Sequence, residues 1–390
     1  MSTIRRTKSV DTAAIRRINR RSVVDILRTQ GPSARSSISA QTGMSFATVC
    51  RVLDDLMERR IVSEVATVNI GGAKRKTALV DMNASGGWVA AIDLGAVAIR
   101  SAAVDFAGNI HCVRETPLEG ILGEESVARV VCSELRDLQI RAKRVVGVPI
   151  AAGVSCSGIV EPDQGVVKLS FNLGLREFPL ARVTGEAIGL PVVVSNDVQA
   201  SALAEAKIGP GKEHPNFAYV TVGMGVGAGV VLDGRVLQLP TDAEFGLMVV
   251  AAEGDPERFG GRGYLESVAS GRGIAAAARR EIRSGRVSLL TEMLGGDLSQ
   301  ISAKQVAIAA ERGDQLAAEV YRNAAHYLGI AIVNLAHTLG LTLFVLNGGV
   351  SGAGEVFWNP LKETISRHEF WAGRIALERS SLQRDAALLG

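Results

Sequence analysis

The stretch FAYVTVGMGVGAGVVLDGRV, residues 217–236, decides the fold. Two valine-rich apolar runs flank Gly223–Gly229, where every second residue is glycine. Such runs on either side of a glycine turn read as the strands of a hairpin. Backbone this dense in glycine can approach another group very closely, often a phosphate. A comparable strand, glycine turn, strand pattern fills 88–110, WVAAIDLGAVAIRSAAVDFAGNI, with Asp93-Leu94-Gly95 at its turn and a third strand expected after Gly108-Asn109. Taken singly, each turn reads as a plain tight hairpin. Their recurrence roughly half a chain apart predicts a duplicated α/β body with a cleft between two lobes and both turns facing it.

Between the two hairpins lies LPVVVSNDVQASALAEAKIG, 190–209, which puts Asn196-Asp197 at the end of a buried strand and the start of an alanine-rich helix. A carboxylate there can serve as a general base towards a substrate hydroxyl. It can equally be a helix cap, and the two roles are compatible. Glu244 in DAEFG, Glu266 in GYLES and the strand-turn stretch VLNGGVSGAG (345–354) follow. The most apolar stretch, IAIVNLAHTLGLTLFVLNGG from Ile330, is broken by Asn334, His337 and Thr338. It reads as a buried helix running into a buried strand, not as a membrane span.

The chain has 390 residues, 47% hydrophobic and 21% charged, which is ordinary for a soluble globular protein and long enough for two or three units. The N-terminal MSTIRRTKSVDTAAIRR has no apolar core of a secretory signal, and four scattered cysteines form no C-x-x-C pair. A cytoplasmic location without membrane contact is expected. The net charge of +3 hides an asymmetry: residues 1–80 hold 15 Lys/Arg against 6 Asp/Glu, and the remainder is acidic. A basic head on an acidic body is the pattern of a protein whose head meets a polyanion, although a solvated, charged domain would show it too.

Within the head, Asp11–Thr29 spaces Ile15, Ile18, Val23, Val24, Ile26 and Leu27 on one helical face, ended by Gly31-Pro32. Ser33 is expected to cap a short second helix, ARSSISAQT, closed by Gly43. Ser45 is expected to cap a third, SFATVCRVLDDLMERR, with Val49, Val52, Leu53 and Leu56 inward and Ser45, Ala47, Thr48 and Arg51 outward. Two short helices joined by a glycine turn, the second opening on small polar and basic residues, describe a helix-turn-helix. Strands at Ile61–Val65 and Thr77–Val80 around GGAKRK would add a wing, with Lys74, Arg75 and Lys76 placed for phosphate or minor-groove contact. The organisation read from the sequence is therefore a winged helix-turn-helix over 1–80, a linker over 81–87, and a two-lobed body over 88–390 with its lobe boundary near 195–215.

Taken together, the motifs DLGAVAIR (93–100), GVSCSGIVEPDQG (153–165), NLGL (172–175), SNDVQASALAE (195–205), TVGMGVGAG (221–229) and NGGV (347–350) resemble the ROK family of bacterial sugar kinases and sugar-responsive repressors. The resemblance covers nearly the whole chain. It implies a body of two actin-like (ribonuclease H-like) lobes, and the head resembles that of the repressor branch. It also implies sugar-hydroxyl contacts from Asn196, Asp197, Glu244 and Glu266, with Asn172 as a further contact and Asp197 as catalytic base if the chain is a kinase.

The departures from the family pattern carry information. The family's zinc site uses a His and three Cys, where this chain has Leu247 and then Glu257, Phe259 and Tyr264. Phe and Leu cannot ligate zinc, so no metal and no cofactor is expected, with that loop held by aromatic and apolar packing. Kinases of the family carry threonines in D-x-G-G-T and G-T-G-x-G that help the glycine backbone meet ATP phosphates. Here those positions are Val97 and Met224. TVGMGVGAG then reads as a retained fold element, weak ATP binding through backbone amides being the alternative. The function expected is a DNA-binding regulator, a repressor of carbohydrate-utilisation genes, acting as a homodimer or higher oligomer on operator DNA with a sugar effector in the cleft. The competing readings are a sugar kinase that also binds DNA and a regulator answering to a protein partner.

Overall fold

The computed structural model describes residues 12–69, 76–143, 147–238, 244–252 and 261–390. Its head consists of helices Thr12–Gln30, Arg35–Thr42 and Phe46–Glu58 followed by antiparallel strands Val62–Asn69 and Lys76–Met82. Gly43 ends the second helix in the left-handed conformation at φ 69°, and the Ser45 side chain accepts the Thr48 backbone N–H to start the third. Val23, Leu27, Ile38, Val49, Leu53, Leu56, Val62 and Val80 close a small core.

Two expectations for the head need correction. Ser33 does not cap the second helix: Ser33–Ala34 is a short strand paired with Val80 and Leu79, and Ser33 Oγ donates to the Gly31 carbonyl instead. That pairing completes a three-stranded sheet, and Ala34 stands at the cap position without a side-chain bond. Ile15 and Ile18 are exposed at 42% and 60%, because the packed face of the first helix begins only at Val23. Val52 is half-buried beside the core.

Each lobe of the body is built on a five-stranded mixed sheet, and the two sheets share a plan. In the first lobe, Trp88–Leu94, Ala98–Asp105 and Ile110–Pro117 form an antiparallel meander, and Pro149–Cys156 and Val192–Asn196 extend it in parallel from Trp88–Leu94. In the second, Phe217–Val222, Val226–Leu232 and Arg235–Val236 form the meander, and Leu343–Asn347 and Ala376–Arg379 add in parallel on the other side. Matching order and direction in both halves is what duplication of one unit gives. Leu343–Asn347 is fed by the long helix Gln315–Leu339, which Gly340 stops at φ 69°. No helix among the described residues is long and apolar enough to cross a membrane.

The first lobe ends at Asn196, the helix Asp197–Ile208 carries the chain across, and the second lobe opens at Phe217. A second crossing was not read from the sequence. After Arg379 the chain returns, and its last helix, Ala386–Leu389, packs on Asp197–Ile208 and on the sheet of the first lobe. Arg100 pairs with Asp385 at 2.7 Å and Arg384 with Glu115 at 2.6 Å, pinning this return. The 81–87 connection is structured: Asn83 Nδ2 donates to the Arg60 carbonyl at 2.9 Å, and a Cβ on Gly86 would lie 1.8 Å from that oxygen.

Candidate functional site

Asn196 and Asp197 divide two tasks at the strand-to-helix junction. Asn196 Oδ1 accepts the backbone N–H groups of Val198 and Gln199 at 2.9 and 3.0 Å, and its Nδ2 donates to the Gly158 carbonyl at 2.9 Å. The cap is therefore Asn196, and the Asp197 carboxylate is left facing the cleft. Across from it, Asp93, the penultimate residue of the strand Trp88–Leu94, accepts Ser155 Oγ at 2.9 Å. Burial and then the neighbouring Asp93 push the Asp197 carboxyl up to about 7, against the opposing pull of the Val198 backbone N–H. Burial also raises Asp93, moderated by Ser155 and by the charges of Arg100 and Arg384. Two close carboxyls of this kind titrate as a pair.

Asn172, Asn196, Asp197, Glu244 and Glu266 all line one cleft of about 630 Å³. Asn172 lies in the turn between strands Val166–Ser170 and Leu175–Phe178, and Glu244 precedes the short turn Phe245–Leu247. Glu266 is held from two sides: Oε2 accepts the Val226 N–H at 3.1 Å and Oε1 accepts Arg272 Nη2 at 2.9 Å. Arg272 also donates to the Met224 carbonyl at 3.1 Å. Sequence reading put Asp93 at a cleft-facing turn without giving it a role, and it passed over Arg272 and Phe171. The place of Asp93 in DLG was the one available signal, since Arg272 and Phe171 belong to no recognisable spacing.

Val97 and Met224 also line the cleft, 58% and 48% exposed. Three of the hairpin glycines, Gly225, Gly227 and Gly229, are required by packing. A Cβ on Gly225 would lie 2.4 Å from Glu266 Oε2, and those on Gly227 and Gly229 would strike the helix Asp197–Ile208. Leu247 and Tyr264 stand on the cleft wall, and Tyr264 bridges to Val249. Glu257 and Phe259 lie outside the described residues. Among the described residues, no group of three or more His, Cys, Asp or Glu is placed to hold a metal.

In the head, Ser45, Ala47 and Arg51 are exposed on the outer side of helix Phe46–Glu58, and Thr48 is half-buried beside the Ser45 hydroxyl at 2.9 Å. Phe46, not singled out from the sequence, is 55% exposed at the same end. Lys76 opens the strand Lys76–Met82 and is exposed, whereas Lys74 and Arg75 lie outside the described residues.

The ROK family model matches residues 89–390. The chain belongs to the ROK family. Within it, similarity runs to both branches. A glucokinase of Halalkalibacterium halodurans is 32% identical over 313 residues, covering 78% of this chain and 93% of that protein. The xylose repressor of Caldicellulosiruptor bescii is 25% identical over 380 residues, covering 96% and 94%. Among solved structures, a ROK transcriptional regulator homologous to the E. coli MLC protein superposes with a TM-score of 0.84 at 23% identity, covering 96% and 94% of the two chains. A ROK glucokinase from Streptomyces griseus, in complex with glucose and AMPPNP, gives 0.69 at 26% identity, covering 78% and 97%. The repressor similarities thus reach across this ROK chain's head, ahead of the part that the family model matches.

Proposed function

We propose that this ROK protein is a sequence-specific DNA-binding repressor whose body senses a sugar. The observation that carries the reading is the head itself. A capped, outward-facing helix lies within a basic segment, on a chain that matches a xylose repressor over 96% of its length. Ser45, Ala47, Thr48 and Arg51 would enter the major groove, with Arg51 able to reach a guanine edge or a phosphate. Lys74, Arg75 and Lys76 would follow the backbone or the minor groove. A homodimer would present two such helices to successive groove faces of a palindromic site.

In the cleft, Asp197, Glu244 and Glu266 would accept sugar hydroxyls, with Asn172 donating and Asn196 holding the junction. Acceptors paired with amides suit vicinal hydroxyls. Closing the lobes on the sugar would shift the heads, provided the sugar binds the open and closed states unequally. The experiment is selection of bound duplexes from a random-sequence library, followed by affinity measurement with each of a panel of sugars. Failure to enrich any sequence defeats the DNA-binding reading; equal affinity with every sugar defeats the sensing one.

Two observations favour the kinase reading: the 32% identity to a glucokinase over 78% of the chain, and Asp197, which lines the cleft with its carboxyl pushed up to about 7 and could act as a base. Against it stand Val97 and Met224, which offer no hydroxyl where the phosphates would lie. ATP-dependent hexose phosphorylation abolished by Asp197→Asn would establish the kinase. No cofactor and no zinc enter the proposal, because Leu247 and Tyr264 supply neither thiolate nor imidazole.

A further inference from the structure

The helix Asp197–Ile208 has 12 residues and spans about 18 Å. Its first residue faces the cleft, and its last turn touches the head. Lys207 Nζ lies 3.3 Å from Asp25 Oδ1, across from the first helix of the head, between the head-core residues Val23 and Leu27. The two helices pack against each other there.

The helix is packed closely on two sides at Val198, Ala200 and Ala202. On one side a Cβ at Gly227 would lie 2.8 Å from Val198 Cγ2, and one at Gly229 would lie 2.7 Å from Ala202 Cβ. On the other, a Cβ at Gly390 would lie 1.7 Å from the Ala200 carbonyl oxygen. In the last turn the buried Glu205 accepts Ser380 Oγ, which lies on the chain's return crossing, so both inter-lobe crossings meet within one turn of Lys207. A rigid element clamped in this way moves as a unit, so a shift at Asp197 is felt at Lys207.

We propose that Lys207 and Asp25 are positioning residues that set the orientation of the head from the helix carrying Asp197, so that operator geometry follows the state of the cleft. The inference rests on the DNA-binding reading and adds to it the route by which the cleft reaches the head. Another tether of the head is the Asn83–Gly86 turn against Arg60. That turn fixes where the head is attached, and the Lys207–Asp25 pair fixes how it is rotated about that point. Rotation of the heads changes the distance between two recognition helices without changing what either one reads.

The test is binding selection from a random duplex library by the full chain and by Lys207→Glu, Asp25→Lys and the double charge swap, with Lys207→Arg as the conservative control. The wild type is expected to enrich two half-sites at one spacing. Each single reversal should keep the half-site sequence but broaden the spacing and weaken binding to the wild-type duplex about fivefold. The double swap and Lys207→Arg should restore both. Single reversals that keep the wild-type spacing, or a swap that does not restore it, overturn the proposal, as does a motif without a second half-site. A wild-type chain that enriches nothing overturns the DNA-binding reading beneath it, a distinguishable failure.

Discussion

A Cβ on Gly229 would lie 2.7 Å from Ala202 Cβ and 2.9 Å from the Val198 carbonyl oxygen, whereas one on Gly223 would meet nothing within 4 Å. Gly225, Gly227 and Gly229 are thus explained by the close approach of Glu266 and of the Asp197 helix, whereas Gly223 is open to the cleft. Gly229→Ala should destabilise the fold by about 1–3 kcal/mol through overpacking, and Gly223→Ala by less than about 0.5 kcal/mol, as read by urea unfolding. Equal costs at the two positions would contradict this packing account. Asp197 offers a second residue-scale check. Its carboxyl lies at about 7 in the fold against 3.8 ordinarily, so the folded state holds an extra proton between those values. Its contribution to stability is therefore largest at low pH and falls as pH rises through 7. Asp197→Asn, which cannot ionise, should gain in Tm relative to wild type between pH 5 and pH 8. In the proposed sensor it is the carboxylate form that would accept a sugar hydroxyl, so effector affinity should rise with pH, by up to about tenfold per unit, and level off above 7. A flat calorimetric profile between pH 5.5 and 8 would remove Asp197 from the binding set.

At the scale of elements, the helix Phe46–Glu58 shows what could be read in advance. Ser45, Gly43 and the spacing of Val49, Leu53 and Leu56 are local signals, and each stands where local chemistry puts it. The strand Ser33–Ala34 was not legible, because its partners Val80 and Leu79 lie 47 and 45 positions away and a serine before a helix looks like a cap. The cleft was legible by resemblance for Asn172, Asn196, Asp197, Glu244 and Glu266. Periodicity alone could not have gathered residues from four separate segments. Arg51→Ala should cost about 1–3 kcal/mol of binding to the selected duplex with no change in Tm, since Arg51 is exposed. Ser45→Ala should cost about 1 kcal/mol of head stability through the lost cap. Comparison of anisotropy titrations with melting curves separates the two effects.

For the whole molecule, the two lobes repeat one sheet plan, and the recurring glycine hairpins announced that repetition. The return crossing was invisible because what pins it, Arg100 to Asp385 and Arg384 to Glu115, joins residues more than 260 positions apart. The crossing matters to the account, since it packs the last helix against the helix that starts in the cleft and ends at the head. A body that closes on a sugar with its heads carried along is the central claim. The most direct test is fluorescence anisotropy of the selected duplex titrated with the full chain, repeated in each of a panel of monosaccharides and sugar phosphates. The account predicts that at least one sugar shifts the affinity about tenfold or more and that Asp197→Ala abolishes the shift. The same affinity in every sugar, or a shift that survives Asp197→Ala, would contradict it.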